Sequence, residues 1–305
     1  MGGNTQIMPH AISFRPVDGQ YAPSFIDMMN NEYNRKKKID YYFWQYAEAA
    51  EPSVLMGAFV NDGLAGVLGL KMRRLNSGAV AAQIVDMLIA PRFRHEGLFA
   101  RIYESALLSC GVRPDLVCVF PNARGREAIE RLPGWKTVGA IQTLFRPANK
   151  PIPPLRTDYA MSRQETSRSC FEKADDYRSW RFEKNPEYRY FTVNVDEGYS
   201  TAKLFTDPIT GVIYGDIVDL TLAHRTGSTL FSLLSLTCDQ LKRRGAQWIT
   251  TWAMPETLGS DVAEALGFVQ HDQERYFCVR VLNCAYGDLY EFSRWDVVQA
   301  DTEVY

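Results

Sequence analysis

The sequence predicts an α/β protein in which one fold occurs twice. Three observations carry this. Apolar, β-branched runs alternate with amphipathic helical stretches, and over residues 12–146 the order reads β-α-α-β-β-β-α-β-α-β-β. Short stretches recur at nearly constant spacing: Ile84-Val-Asp-Met-Leu-Ile-Ala-Pro-Arg92 is echoed 133 residues on by Ile217-Val-Asp-Leu-Thr-Leu-Ala-His-Arg225. Gly134-Trp135 returns as Gly267-Phe268 at 133, Leu98-Phe99 as Leu230-Phe231 at 132, Arg146 as Arg280 at 134, and Phe43-Trp44-Gln45-Tyr46 as Ser179-Trp180-Arg181-Phe182 at 136. So long a period means two domain-sized copies, not a solenoid. A length of 305 residues suits two domains.

The elements follow in order. Residues 55–60 and 64–70 flank Asn61-Asp62-Gly63, a hairpin signal. The run from Ile84 stops at Pro91, a basic turn follows, and Gly97 opens an amphipathic helix whose apolar residues include Leu98, Phe99, Ile102 and Leu107. Residues 116–120 form a short buried-strand run ending in Pro121-Asn122, followed by a helical stretch over 123–132 and then Gly134-Trp135. Four prolines among residues 146–157 cannot continue a helix or central strand, which places the domain boundary there, between 1–150 and 151–305. In the final stretch, Tyr286, Tyr290, Phe292 and Trp295 argue for docking onto the fold, while the anionic end is of a kind that can be disordered.

Composition excludes several classes. A hydrophobic fraction of 46% with 23% charged residues is that of a soluble globular protein. A net charge of −2 carries no global field for nucleic acid. No apolar run approaches the length of a membrane span, and Met1 to His10 do not read as a signal peptide. The six cysteines show no Cys-x-x-Cys spacing and read as reduced thiols in a cytoplasmic protein; with four scattered histidines, no metal site is visible.

Strand, cationic turn, glycine, helix is the layout of an anion site. Backbone N–H groups at a helix start converge on one anion, the helix dipole adds partial positive charge, and Arg92 and Arg94 complement it. No Gly-Lys-Ser/Thr follows, and only one glycine is present, so neither the Walker nor the dinucleotide fingerprint fits. What remains, Arg94-His95-Glu96-Gly97-Leu98-Phe99-Ala100, resembles the Arg/Gln-x-x-Gly-x-Gly/Ala pyrophosphate loop of the GNAT superfamily of acyl-CoA-dependent N-acyltransferases. The flanking strand, Asn122, helix and Gly134-Trp135 agree with the order in that superfamily.

The resemblance implies two tandem GNAT folds, each a mixed, mostly antiparallel central sheet flanked by helices. The first copy would bind acyl-CoA, either acetyl-CoA or a longer or hydroxylated acyl-CoA. The second, whose loop reads Arg225-Thr226-Gly227-Ser228-Thr229, has lost the second arginine and would supply acceptor-site wall and stability. CoA would lie against Arg92, Arg94, His95, Glu96, Gly97, Leu98, Phe99 and Ala100, with its pantetheine arm along Leu88 and Ile89 and its acyl group near Met87 and Phe99. Asn122 would face CoA or cap the helix that follows.

Acyl transfer also needs a base for the acceptor amine and a proton for the leaving thiolate. Asp86 is the leading base: it lies mid-strand in an apolar run, where Asp is depleted and an unpaired carboxylate is costly. The other reading is a brace for the loop, since Asp219 holds the same place in the second copy. Where the superfamily often has an acid tyrosine this chain has Glu130, leaving Tyr103 as substitute or core residue, and His224 as a second-domain base or a surface histidine. Arg35-Lys36-Lys37-Lys38 borders the acceptor side and could attract a diphosphate, with Lys36 as the substrate-binding member, or the CoA 3′-phosphate; the bland reading is a solvated face.

Tyr41-x-x-Trp44, Asp86 five before Pro91, Trp180-Arg181-Phe182 with Asn185-Pro186-Glu187-Tyr188, and the Trp295-Asp296 end resemble bacterial acyltransferases of polysaccharide biosynthesis that act on dTDP-linked amino sugars. That implies a small nucleotide-sugar acceptor, with Lys36, Trp180, Asp219 and Trp295 as its binding residues. The rivals are an N-acyltransferase acting on a peptide or aminoacyl-tRNA and a non-catalytic CoA-binding protein.

Overall fold

The structure, a computed structural model, describes residues 12–94, 97–155 and 168–302. By contacts the chain parts into two units: residues through Met72 with Ala82–Pro114, and Arg73–Ala81 with the rest from Asp115.

The first unit runs β1 (Ile12–Pro16), α1 (Ala22–Tyr33), α2 (Asp40–Tyr42) continued by a π-helical turn over Phe43–Ala47, β2 (Ser53–Val60), β3 (Gly63–Arg74), β4 (Val80–Ile89) and α3 (Leu98–Ser109). The strands lie side by side in the order β1-β2-β3-β4. The predicted hairpin is present: Asn61 and Asp62 both take positive φ, 48° and 61°, the combination a tight two-residue turn requires. On α1 the buried residues are Ala22, Phe25, Ile26 and Met29, and on α3 they are Leu98, Ile102, Tyr103 and Ala106, each a single helical stripe. Helix α3 lays its stripe on β2 and β1.

The second unit runs β5 (Leu116–Val119), α4 (Ala123–Glu130), β6 (Lys136–Pro147), α5 (Asp175–Arg178) continued by a π-helical turn over Ser179–Glu183, β7 (Tyr190–Val195), β8 (Gly198–Thr206), β9 (Ile213–Leu222), α6 (Gly227–Arg243), β10 (Trp248–Trp252), α7 (Leu258–Ala265) and β11 (Val269–Val281). Its strand order is β5-β11-β6-β10-β9-β8-β7. Neighbours are antiparallel except β9 and β10, which α6 joins by the crossover that a parallel pair needs. The expected fold class, α/β with mixed, mostly antiparallel sheet, is present.

Duplication is visible in the backbone. The two π-helical turns begin 136 residues apart, and β4 and β9 begin 133 apart. The last strands are exchanged: β6 pairs with β10, Trp248 opposite Pro147, and β11 pairs with β5, Cys278 opposite Val119. Exchange of this kind makes contact units and sequence repeats divide the chain differently.

One expectation is corrected. The two strands foreseen before Arg146 are a single 12-residue strand, β6. No turn residue interrupts it except Gly139, and Gly139 makes room for the Phe292 ring, against which a Cβ would collide.

The end of the chain docks as its aromatics suggested. Trp295 is fully buried, its indole N–H donates to the Leu289 carbonyl at 2.9 Å, and its ring meets Phe277 edge-on at 4.8 Å. Arg146, at the start of the Pro-rich segment, is buried and donates to the carbonyls of Leu266, Lys150 and Pro151, which pins that segment's first residues. All six cysteines are free thiols; burial pushes Cys118 and Cys238 up to about 12, whereas Cys284 is exposed rather than in a core. Among the described residues no helix is long and apolar enough to cross a membrane, and no cluster of His, Cys, Asp and Glu is arranged to hold a metal ion.

Candidate active site

The first unit gathers its polar chemistry around Asp86. This residue sits within β4 at φ 47°, the left-handed region, where Asp and Asn are among the few side chains tolerated. Holding such a residue costs about 1–3 kcal/mol and turns its side chain out of the strand's alternation. The half-buried carboxylate accepts from the Tyr41 hydroxyl at 2.9 Å on both oxygens and from the Tyr46 hydroxyl at 2.8 Å.

Local geometry explains how both tyrosines arrive. In a regular α-helix residues five apart point about 140° away from each other. Here the chain takes a π-helical turn, with the Glu48 N–H on the Phe43 carbonyl at 2.8 Å, and i→i+5 winding brings Tyr46 back toward the face of Tyr41. Gly69 on β3 completes the seat, since a Cβ there would collide with the Tyr46 hydroxyl. Tyr33, at the end of α1, places its hydroxyl 3.4 Å from the Met87 carbonyl. Burial, then the charges of Asp86 and Glu32, push its phenol above the ordinary tyrosine range, so it stays a neutral O–H donor near neutral pH.

Lys37 is the buried member of the basic run; Lys36 is exposed. Its backbone is held both ways by the Asn30 side chain, at 2.7 and 2.9 Å, and its Nζ lies 3.4 Å over the Tyr41 ring.

Beyond β4, Pro91–Phe93 form one 3-10 turn and Gly97, at φ 65°, starts α3. A residue with Cβ would be strained there, and the N-cap supplies no side chain to the first N–H groups of α3. The second repeat differs at this point. Thr226 caps α6 through the Thr229 N–H at 3.2 Å, and the Thr229 hydroxyl returns the bond to the Thr226 N–H at 3.0 Å. Arg94 donates to the Ile89 carbonyl at 3.0 Å and pairs with Glu32 at 2.5 Å, so it braces the turn. Arg92 is exposed with its guanidinium over Phe93, Leu98 is buried, and Phe99 and Ala100 are half-buried. His95 and Glu96 lie outside the described residues.

Other candidate residues stand elsewhere. Tyr103 is buried on α3, its ring 6.4 Å from Phe99. Asn122 caps α4, accepting from the Gly125 N–H at 2.9 Å. His224 is exposed in the turn before α6. Trp180, Asp219 and Trp295 are buried in the second unit, at 3%, 2% and 0% exposure, so each is walled by its own fold. Tyr33, Tyr46 and Glu32 had no assigned role in the sequence, and Lys37 entered only as one member of the basic run. The one usable signal was the tyrosine-rich stretch from Tyr41 to Tyr46.

At the level of sequence, no family model and no curated protein matches the chain. Solved structures do. A tandem GNAT protein from the clavulanic acid biosynthesis pathway matches with a TM-score of 0.61 and 16% identity over 89% of this chain and 98% of its own. An Enterococcus faecalis protein described as a probable N-acyltransferase matches at 0.61 and 10% identity, over 90% of this chain and 73% of its own. Saccharomyces cerevisiae N-myristoyltransferase with bound myristoyl-CoA matches at 0.58 and 10%, over 90% and 83%. The chain therefore has the tandem GNAT fold, and many of its structural neighbours are N-acetyltransferases of that fold.

Proposed function

We propose that this protein is an acyl-CoA-dependent N-acyltransferase with one working site, in the first repeat, and that its acceptor is the amine of a nucleotide-linked sugar. The observation that carries the reading is the asymmetry between two helix starts. Thr226 satisfies the start of α6 from within the chain, whereas α3 begins at Gly97 with no side-chain cap, behind two arginines and downstream of the kinked Asp86. Uncapped N–H groups at a helix start suit a pyrophosphate. On this reading residues 1–150 are the acyl-CoA-binding copy, and residues 151–305 form a copy that keeps the fold.

The chemistry is direct transfer. The amine nitrogen attacks the thioester carbonyl, the C–N bond forms, the C–S bond breaks, and the amine proton passes to Asp86 directly or through water. On this reading Tyr33, a neutral phenol whose hydroxyl lies beside the Met87 carbonyl, gives the thiolate its proton. Backbone near Leu88 and Ile89 pairs with the pantetheine arm as a strand would.

The test is thiol release from acetyl-CoA and longer acyl-CoAs with dTDP- and UDP-amino sugars, a peptide amine and an aminoacyl-tRNA. Release with one nucleotide sugar, and one equivalent of CoA bound per chain, is the expected result. Release with the peptide or tRNA replaces the acceptor assignment, and CoA binding without release leaves a binding protein. Arg94→Ala is expected to weaken CoA about tenfold, because it removes a charge and the brace from Ile89. Isothermal titration measures it, and unchanged affinity moves the pyrophosphate elsewhere.

A further inference from the structure

The two repeats share an aspartate and hold it by different means. By the repeat, Asp86 corresponds to Asp219, Tyr41 to Tyr177 and Tyr46 to Phe182. In the second unit Asp219 is 2% exposed, and Lys173 Nζ lies 3.3 Å from it and 3.0 Å from Asp301. The Tyr177 hydroxyl meets the Ala300 carbonyl at 3.5 Å, and Phe182 has no hydroxyl to give. In the first unit the half-buried Asp86 accepts from the Tyr41 and Tyr46 hydroxyls.

The hydroxyl at position 46 is a chemical difference between the copies. Both keep the π-helical turn, Phe43–Ala47 and Ser179–Glu183, so that winding does not itself require a tyrosine. The first copy adds the means to use one. Its turn brings Tyr46 back toward the face of Tyr41, and Gly69 on β3 leaves the room that the Tyr46 hydroxyl fills. The hydroxyl is present where the aspartate is half-buried, and absent where the aspartate is buried against an ammonium.

We infer that Tyr46 is a positioning residue of the first repeat, one that serves the reaction through Asp86. The kink at φ 47° sets where the Asp86 side chain leaves β4, and contacts must then fix the side chain's own two torsions. Tyr41 stands 2.9 Å from both carboxylate oxygens, so its bond does not tell one from the other. Tyr46 donates to Oδ2 at 2.8 Å and so sets the rotation of the carboxylate. A base acts well only when held within about 0.5 Å and 10–20° of the productive geometry, and a hydrogen bond to a carboxylate is among the strong ones that can hold it. The acceptor amine then meets a carboxylate of one orientation.

The inference rests on the acyltransferase reading, and one set of rates separates the two. Thiol release from acetyl-CoA is followed with dTDP- and UDP-amino sugars, a peptide amine and an aminoacyl-tRNA. The unaltered chain is compared with Tyr46→Phe, Asp86→Asn and the double variant. Phe182 fills this place in the second repeat, so the turn accepts the change. Tyr46→Phe is expected to lower kcat about tenfold to a hundredfold, the range for one hydrogen bond to a charged group, with KM for acetyl-CoA and for the amine within about twofold. In the Asp86→Asn background the same change should cost less than about twofold, because a residue that acts through Asp86 has no base left to position. A kcat within about twofold of the unaltered chain, a loss carried by KM, or an equal loss in both backgrounds overturns the inference and leaves the acyltransferase standing. No release with any amine overturns both.

Discussion

Asp86→Asn is expected to cut turnover by about 10²–10⁴-fold while leaving acyl-CoA affinity within about twofold, the range that loss of a general base produces. Asn is the right replacement because of the backbone. Asp86 lies at φ 47°, where Asn is tolerated and Ala is strained, so the kink in β4 survives the change. Asn also keeps a carbonyl oxygen that can accept from Tyr41 or Tyr46. What disappears is the capacity to take a proton. Steady-state kcat with saturating acyl-CoA, together with CoA titration of the same variant, checks the prediction. Unchanged turnover with a lowered melting temperature would make Asp86 the brace of its loop and remove it from the chemistry.

The largest stability effect belongs to the second unit. Lys173→Met is expected to cost about 3–5 kcal/mol, the usual penalty for removing one partner of a buried ion pair. Burial alone would lower the Lys173 pKa, yet Asp219 and Asp301 hold its ammonium well above the ordinary lysine range. Without it, two carboxylates at 2% and 1% exposure face each other with Arg73 as the nearby cation, 4.0 Å from Asp301. Arg73 cannot take over freely, because its guanidinium is stacked over Tyr177 and Phe171. Urea unfolding measures the loss. Adding Asp219→Asn and Asp301→Asn to Lys173→Met should restore part of it, since the charges left unpaired are then gone. A loss below about 1 kcal/mol is what an exposed pair gives, and would mean that water reaches the cluster.

Much of the fold was legible because it is written in local pattern. Asn61-Asp62-Gly63 announced a hairpin, and the chain turns there with positive φ at both central residues. The stripe that begins at Leu98 announced α3, which starts directly after Gly97. Repeated stretches at 133 and 136 residues announced duplication, and β4, β9 and the two π-helical turns repeat at those spacings. Where pattern was silent the reading slipped: nothing marked residues 136–147 as one continuous strand, because Gly139 reads as a break until the Phe292 ring is seen filling the space.

The candidate site divides along the same line. Sequence alone determined the order of elements in the first repeat up to its last strand, the internal repeat, the glycine at the start of α3, and the oddity of an aspartate inside an apolar strand, for these depend on propensity, periodicity and backbone chemistry within a few residues. Only the tertiary structure decided that Tyr41 and Tyr46 close on Asp86, that Lys37 rather than Lys36 turns inward, that Arg94 braces Ile89, that the final strands change places, and that Asp301 ends beside Lys173. The physical reason is that these outcomes depend on helix winding, on the room left by an absent Cβ, and on pairing between residues far apart in the chain. No local window of sequence contains that information.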